Sequence, residues 1–352
     1  MQFAIAIPTD AESWRVVRRA EELGFARAWF YDTQMLSADP FVAIAAAAVK
    51  TTRIRLGTGV LIPSNRIAPV AANAFASLNK LAPGRIDFGV GTGFTGRRAM
   101  GLGAIKLADL EEYVRVVRAL LQGETVEAEI EGKKRLIRLL NPELGLINTR
   151  DPVRVYVAAS GPRARSLTAK LGAGWIATAG DVTAMADMRE RWRAAGRSVE
   201  RLEAVVMTGG AILEDGEPLD SPRVIAQAGP RAAMLLHRAA DAALAGLPMM
   251  APMPPAVADT AAGYVELARK FTPQSAHYLE NHRGHLMFVK SEERPFVTAE
   301  LIRQTTFTGT ERELKERIAA LADAGYDELA LQIVPGQEHA IEDWGRIRRA
   351  FA

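Results

Sequence analysis

Eight short apolar runs, each separated from the next by a longer amphipathic or polar stretch, restrict this chain to a parallel α/β architecture. The runs are FAIAI (3–7), RAWFY (27–31), IRLGTGVLI (54–62), RIDFGV (85–90), VRVYVAA (153–159), GWIATA (174–179), LEAVVMTGGAIL (202–213) and DELALQIV (327–334). They are rich in β-branched and aromatic residues and lack a strict period of two, as strands buried on both faces do. The stretches between them carry helical spacing. Trp14, Val17, Ala20 and Leu23 share a face over 11–23, with Gly24 as the stop; Leu110, Val114, Val117 and Leu121 do so over 107–121. Residues 310–324 open with a Thr310 cap and Glu313 three positions on, a capping-box spacing, and end at Gly325. Eight strands alternating with helices is the number that closes a (β/α)8, or TIM, barrel, so one barrel domain is expected over 1–352.

Two segments break the repeat. Residues 124–140 (ETVEAEIEGKKRLIRLL) alternate around Gly132 and predict a hairpin excursion. Residues 214–305 form a large insertion, a lid, between the seventh and eighth strands; it holds the stretch LPMMAPMPP (247–255) and every histidine except His339. Insertions after barrel strands collect at the C-terminal face, where barrel active sites sit. The longest uncharged stretch, from Asp241 to Asp259, contains Pro248, Pro252, Pro254 and Pro255 and cannot make a membrane helix. The N-terminal MQFAIAIPT lacks a basic targeting region, so a soluble cytoplasmic protein is expected, without a membrane partner.

Composition narrows the chemistry. With no cysteine, a disulfide scaffold, thiol catalysis and Cys-ligated metals are excluded. A net charge of +3 is too small to imply nucleic acid, although 35 of the 44 basic residues are Arg, which suits a phosphate-bearing ligand. Gly91-Thr92-Gly93-Phe94-Thr95-Gly96 matches G-x-G-x-x-G directly after a strand. It follows the fourth run rather than the first and no acidic residue sits suitably twenty positions on, so a cofactor-contacting barrel loop competes with a dinucleotide turn and a plain tight turn. No Walker A, G-x-S-x-G or H-E-x-x-H string occurs. His282 and His285 in NHRGH have no carboxylates at ligand spacing, and no metal centre is expected there.

An ordered series of strings resembles the luciferase-like flavin and deazaflavin oxidoreductases. The series runs from WFYD (29–32) through RLGTGVLIPSNR (55–66) to APVAANAFASLNKLAPGRIDFGVGTG (68–93). It continues with VYVAASGPRARSLTAKLGAGWIATAG (155–180) and closes with GTERELKERIAALADAGYDEL (309–329). The resemblance implies a (β/α)8 barrel that binds FMN or coenzyme F420 at its C-terminal mouth. It places Asp32 at the end of the second strand and Thr58, Gly59 and Val60 under the ring, with a cis Gly59–Val60 peptide; Gly59 also lets backbone approach a flat ring. Thr92 and Gly93 would line the ring or ribityl chain, and Arg97 would reach phosphate or substrate. Ser160, Gly161, Pro162, Arg163 and Thr178 would form a phosphate cup, consistent with proline at the first position of a helix whose amides face an anion.

Two departures matter. Thr33 follows Asp32 where many F420-using relatives have histidine, and Phe94 follows the G-T-G where some have glutamate. The acid or base is therefore expected from the insertion: His277, Tyr278, His282 or His285. Met249, Met250 and Met253 are either an apolar substrate wall or core. The missing acids favour FMN with oxygen, a monooxygenase acting on a small organic substrate. The alternatives are F420-linked hydride transfer, a non-catalytic flavin-binding protein, and a barrel acting on a sugar phosphate without flavin. A separate flavin or F420 reductase and a homodimer are the expected partners.

Overall fold

Parallel pairing closes the eight apolar runs into a ring. In a computed structural model that describes residues 1–249 and 251–351, the strands are β1 (Gln2–Ile7), β2 (Arg27–Phe30), β3 (Arg55–Thr58), β4 (Ile86–Val90), β5 (Arg154–Ala158), β6 (Gly174–Ala177), β7 (Ala204–Thr208) and β8 (Glu328–Gln332). Each pairs with its successor, and β8 returns to β1 in the register Gln2↔Glu328. The layer outside is built from α1 (Trp14–Glu22), α2 (Pro40–Lys50), α3 (Ala68–Leu81), α4 (Leu107–Leu121), α5 (Pro162–Leu171), α6 (Val182–Ala194), α9 (Glu311–Ala324) and α10 (Ala340–Arg349). The insertion contributes α7 (Pro222–Ala245) and α8 (Ala258–Ala268). The capping box read at Thr310 and Glu313 is formed, and α9 stops at Gly325 in the left-handed region. No helix among the described residues is long and apolar enough to cross a membrane.

Two runs are shorter than their apolar patterns. β3 stops at Thr58, the Gly59–Val60 peptide is cis, and only Leu61 bridges back to Val90. β7 stops at Thr208. A Cβ on Gly210 would lie 2.1 Å from the Phe307 carbonyl oxygen, so the chain leaves the barrel there. Ile212–Leu213 then pair in parallel with Gly309–Thr310 outside it. Residues Val126–Ile130 and Lys133–Ile137 form an antiparallel hairpin.

The insertion has a core of its own, in which Val224, Ala228 and Leu236 of α7 meet Tyr264 of α8 and Leu301 of the short helix Ala299–Thr305. Met249 and Met253 pack against that core, whereas Met250 lies outside the described residues.

Inside the barrel, Ala4, Ala6 and Ala330 leave room for the fully buried Trp29, whose ring meets Tyr156 edge-on at 5.3 Å between centroids. Beneath it lies a buried charge cluster. Arg27 donates to Glu328 Oε2 at 2.8 Å and to the Tyr156 hydroxyl at 2.9 Å, with its Nε 2.8 Å from Asp87. Trp29 Nε1 donates to Glu328 Oε1 at 2.8 Å, and Arg55 Nε to Asp87 at 2.8 Å. The two carboxylates balance the two guanidiniums, which is the condition under which such charges can be buried. Glu328→Ala strands Arg27 and Trp29 and is expected to lower the unfolding free energy by about 3–5 kcal/mol in urea titration. A loss below 1 kcal/mol would show that water replaces the carboxylate.

Candidate active site

The ends of the strands and the first turns after them enclose a pocket at the mouth. Tyr31 and Asp32 follow β2, Gly59 and Val60 follow β3, and Gly93 to Gly96 follow β4. Ala158, Thr178 and Met207 come from β5, the residue after β6, and β7. Asp32 is buried and its carboxylate is fully engaged: Oδ2 accepts from the Ile62 amide at 2.9 Å and Asn65 at 3.1 Å, and Arg66 reaches Oδ1 at 3.3 Å. Burial raises this carboxyl above its ordinary range, against the pull of those donors. Asp32 thus pins the loop that presents Gly59 and Val60.

One rim carries the features of an anion cup. α5 begins at Pro162 after Gly161 with no side-chain cap on its first-turn amides, and a Cβ at Gly161 would meet nothing within 4 Å. Ser160 Oγ stands 3.5 Å from Thr178 Oγ1, and Arg163, in the first turn of α5, is exposed. Free amides, two hydroxyls and a guanidinium are a donor set that fits the phosphate of a flavin or deazaflavin.

The opposite wall comes from α7. At spacing i, i+3 and i+7, Arg231, Met234 and Arg238 face the pocket. Arg231 donates to the Thr178 carbonyl at 2.6 Å, and Arg238 to the Met234 sulfur at 3.5 Å. Each Nε is buried without a partner, and neither guanidinium forms an ion pair with a carboxylate among the described residues. Arg238 lies 4.7 Å and Arg98 3.7 Å over the ring of Phe94. Burial first, then repulsion from Arg231 and Arg98, push Arg238 down to about 10; burial lowers Arg231 as well.

The adjacent face of α7 points away from the pocket into a cluster of buried polar groups. His237 Nε2 lies 2.7 Å from Glu293 Oε1, and its Nδ1 is 2.6 Å from His285 Nδ1. His282 Nε2 lies 3.1 Å from Asp241, which also pairs with Arg98 at 2.8 Å, while His282 Nδ1 is buried without a partner. Lys290 and Tyr264 contact Glu293 at 2.7 and 2.9 Å. Burial raises the Glu293 carboxyl, but His237 and Lys290 outweigh it and hold it at about 2. Burial lowers both His237 and His285, the latter well below the ordinary range with help from the neighbouring cations.

The structure therefore gathers Asp32, Gly59, Val60, Gly93 and Thr178 at the pocket; Ser160 stands next to Thr178, and Gly161, Pro162 and Arg163 follow it into α5 outside the lining. Thr58 is buried inside the barrel, its hydroxyl donating to the Gly89 carbonyl at 2.6 Å. Thr92 is outside the lining, its carbonyl accepting from the Ile105 amide, and Arg97 is tied to the Gly103 carbonyl at 2.6 Å and to Ser64 at 2.8 Å. Of the four acid–base candidates, none lines the pocket. Tyr278 packs over Gly101 with His277 beside it, His282 is held by Asp241, and His285 touches the lining through Thr95 at 3.4 Å. Arg231, Arg238, His237 and Glu293 are not legible as site residues in the sequence, and Thr95 is legible only as part of the Gly91–Gly96 string. The Arg231–Met234–Arg238 and His237–Asp241 spacings were the available signal; Glu293 had none.

A family model described as "Luciferase-like monooxygenase" matches residues 7–328. The F420-dependent glucose-6-phosphate dehydrogenase of Beutenbergia cavernae is 41% identical over 144 residues, 39% of this chain and 41% of that protein. The chain spans about half the length of the curated relatives it matches, 41% to 60% for three F420-dependent glucose-6-phosphate dehydrogenases. Among solved structures, the coenzyme F420-dependent tetrahydromethanopterin reductase of Methanopyrus kandleri superposes with a TM-score of 0.68 at 20% identity, covering 98% of this chain and 97% of that one. A monooxygenase from Streptomyces bottropensis gives 0.64 at 19% identity, with 100% of both chains covered. These likenesses establish the shared barrel fold.

Because Arg238 is charged at a cost in the ligand-free fold, Arg238→Met is expected to raise the thermal midpoint of the unliganded protein. The depressed Arg238 value makes this gain full at neutral pH and lets it fade only above about pH 10. An unchanged or lower midpoint at pH 7 would mean the guanidinium is already compensated.

Proposed function

Since the chain belongs to the luciferase-like monooxygenase family, we propose that it is an F420-dependent oxidoreductase acting on a small organic substrate that carries an anionic group. The observation that carries this reading is the pair Arg231 and Arg238, two partly buried cations that face the pocket without an ion-pair partner among the described residues. Guanidiniums left in this state favour a bound carboxylate or phosphate. The F420-dependent names of the sequence relatives support deazaflavin over FMN.

When bound, F420 supplies or accepts a hydride at its deazaflavin ring. The chain's own residues hold and orient the reactants. Ser160, Thr178, Arg163 and the first amides of α5 would take the cofactor phosphate. Gly59 and Val60, fixed through Asp32, would support the ring, and Phe94 and Met207 would cover it from water. Arg231 and Arg238 would turn the substrate's anionic end toward α7. The family's histidine and glutamate acids are absent here, so proton transfer must use other groups. A separate F420 reductase or dehydrogenase to recycle the cofactor, and assembly as a homodimer, belong to the same proposal.

Titrating the protein separately with F420 and FMN, then following deazaflavin absorbance with glucose 6-phosphate and, as the uncharged contrast, propan-2-ol, tests the reading. F420 is expected to bind at least about tenfold more tightly than FMN. Arg238→Met should raise KM for glucose 6-phosphate about 10- to 100-fold with little change in F420 affinity, the range of a lost charged hydrogen bond. Preferential FMN binding with substrate-dependent oxygen uptake would establish the monooxygenase instead.

A further inference from the structure

Four side chains connect the pocket lining to the core of the insertion. Thr95 Oγ1 is 3.4 Å from His285 Nε2, His285 Nδ1 is 2.6 Å from His237 Nδ1, and His237 Nε2 is 2.7 Å from Glu293 Oε1. Both imidazoles and Glu293 are buried, at 2%, 1% and 0% exposure, whereas Thr95 lines the pocket. The far end fixes the direction of every hydrogen bond. Glu293 is ionised and also takes Lys290 and Tyr264, so it only accepts. His237 must then donate through Nε2, which leaves a lone pair on its Nδ1. His285 donates into that lone pair from Nδ1, which leaves its own Nε2 as an acceptor. The Thr95 hydroxyl donates to that nitrogen and keeps its lone pairs for the pocket.

We propose that Thr95, His285, His237 and Glu293 form a directional proton relay that takes the hydroxyl proton of the substrate as it is oxidised and returns it in the reverse reaction. The substrate alcohol rests on the F420 reading; the relay's proton positions do not. In oxidation, where a bound deazaflavin would accept the hydride of the breaking carbinol C–H bond, the substrate O–H proton passes to Thr95 Oγ1. The Thr95 proton moves to His285 Nε2 and the His285 Nδ1 proton to His237 Nδ1, while the His237 Nε2 proton stays hydrogen-bonded to Glu293. The alcohol becomes a carbonyl and His237 an imidazolium, its charge balanced by the Glu293 carboxylate. After product leaves, the proton returns along the same path to water in the pocket. Thr95 is the catalytic residue of this set; His285, His237 and Glu293 act through it.

The competing use of these groups is a metal site, because one nitrogen from each of His237, His282 and His285 lies within 4.8 Å of the others. Two observations oppose it. Two imidazoles on one zinc, each bonded at about 2.0–2.1 Å, stand roughly 3.3 Å apart, whereas His237 and His285 meet at hydrogen-bonding distance. The local charges are also already balanced, Arg98 by Asp241 and Lys290 by Glu293, so a divalent cation would add two unmatched charges near Arg238.

The test is nitrogen NMR of the full protein labelled in its histidines, with and without one equivalent of zinc. The relay requires His237 protonated on Nε2 and His285 on Nδ1 at neutral pH, with Thr95→Val moving the His285 Nε2 resonance. Where glucose 6-phosphate or propan-2-ol turns over with F420, Thr95→Val should lose about 10²-fold in kcat. Its F420 affinity should stay within about twofold, with Thr95→Ser restoring the rate. The opposite tautomers, stoichiometric zinc shifting all three histidines, or an unaltered kcat in Thr95→Val would overturn the relay. Absence of any F420 turnover would remove the F420 reading, while the tautomers still decide whether the relay exists.

Discussion

Closure of the barrel floor is the constraint on which the rest of the molecule depends. Trp29 fills the interior above the Arg27–Glu328–Asp87 cluster, and the neighbouring backbone is shaped around it: a Cβ at Gly59 would stand 2.7 Å from the Trp29 Cβ. At Gly89 a Cβ would stand 2.1 Å from the Thr58 carbonyl oxygen, so β3 and β4 approach as closely as their backbones allow. With the floor occupied by a ring and balanced charges, the barrel can open only at its C-terminal mouth. The interior is a packed core, and chemistry is confined to the loops above it.

The insertion completes that mouth through one helix with two working faces. Because side chains three and four positions apart share a helix face, α7 sends Arg231, Met234 and Arg238 into the pocket and His237 and Asp241 into the buried cluster behind it. The insertion also has its own apolar core, which holds α7 rigidly enough to place groups that the barrel strands do not supply. Arg231 and Arg238 are held in the ligand-free fold against the cost of burying charge, as expected when a site is shaped for a ligand.

The barrel was legible because its signals are local: apolar runs of strand length, helical stripes, and a capping box at Thr310. Runs three and seven were overextended for a common reason. Their apolar residues continue past the point where Gly59–Val60 and Gly209–Gly210 turn the backbone, and hydrophobicity does not register a turn made by glycine. The cup residues Ser160 to Arg163 and Thr178 were legible because helix-start chemistry lies within a few residues. Thr33 and Phe94 show which acids are missing and nothing of what replaces them, so they do not by themselves separate FMN from F420. The sequence shows the lid histidines only as a crowd; their roles depend on His237, 48 residues before His285, and on Glu293, which has no distinguishing local context.

By itself the sequence determined that the chain would close eight parallel strands behind helices, leave a glycine-lined shelf after the third, and put a helix N-terminus beside a hydroxyl-rich rim. Periodicity, glycine and capping act over a few residues, so they are written in order along the chain. Which charges are compensated is set by the folded arrangement. Arg27 finds Glu328 across 301 residues and Arg98 finds Asp241 across 143, while Arg231 and Arg238 form no ion pair among the described residues. An arginine in a sequence does not reveal whether it is paired, because that depends on long-range packing. The two guanidiniums left unpaired in this way line the pocket.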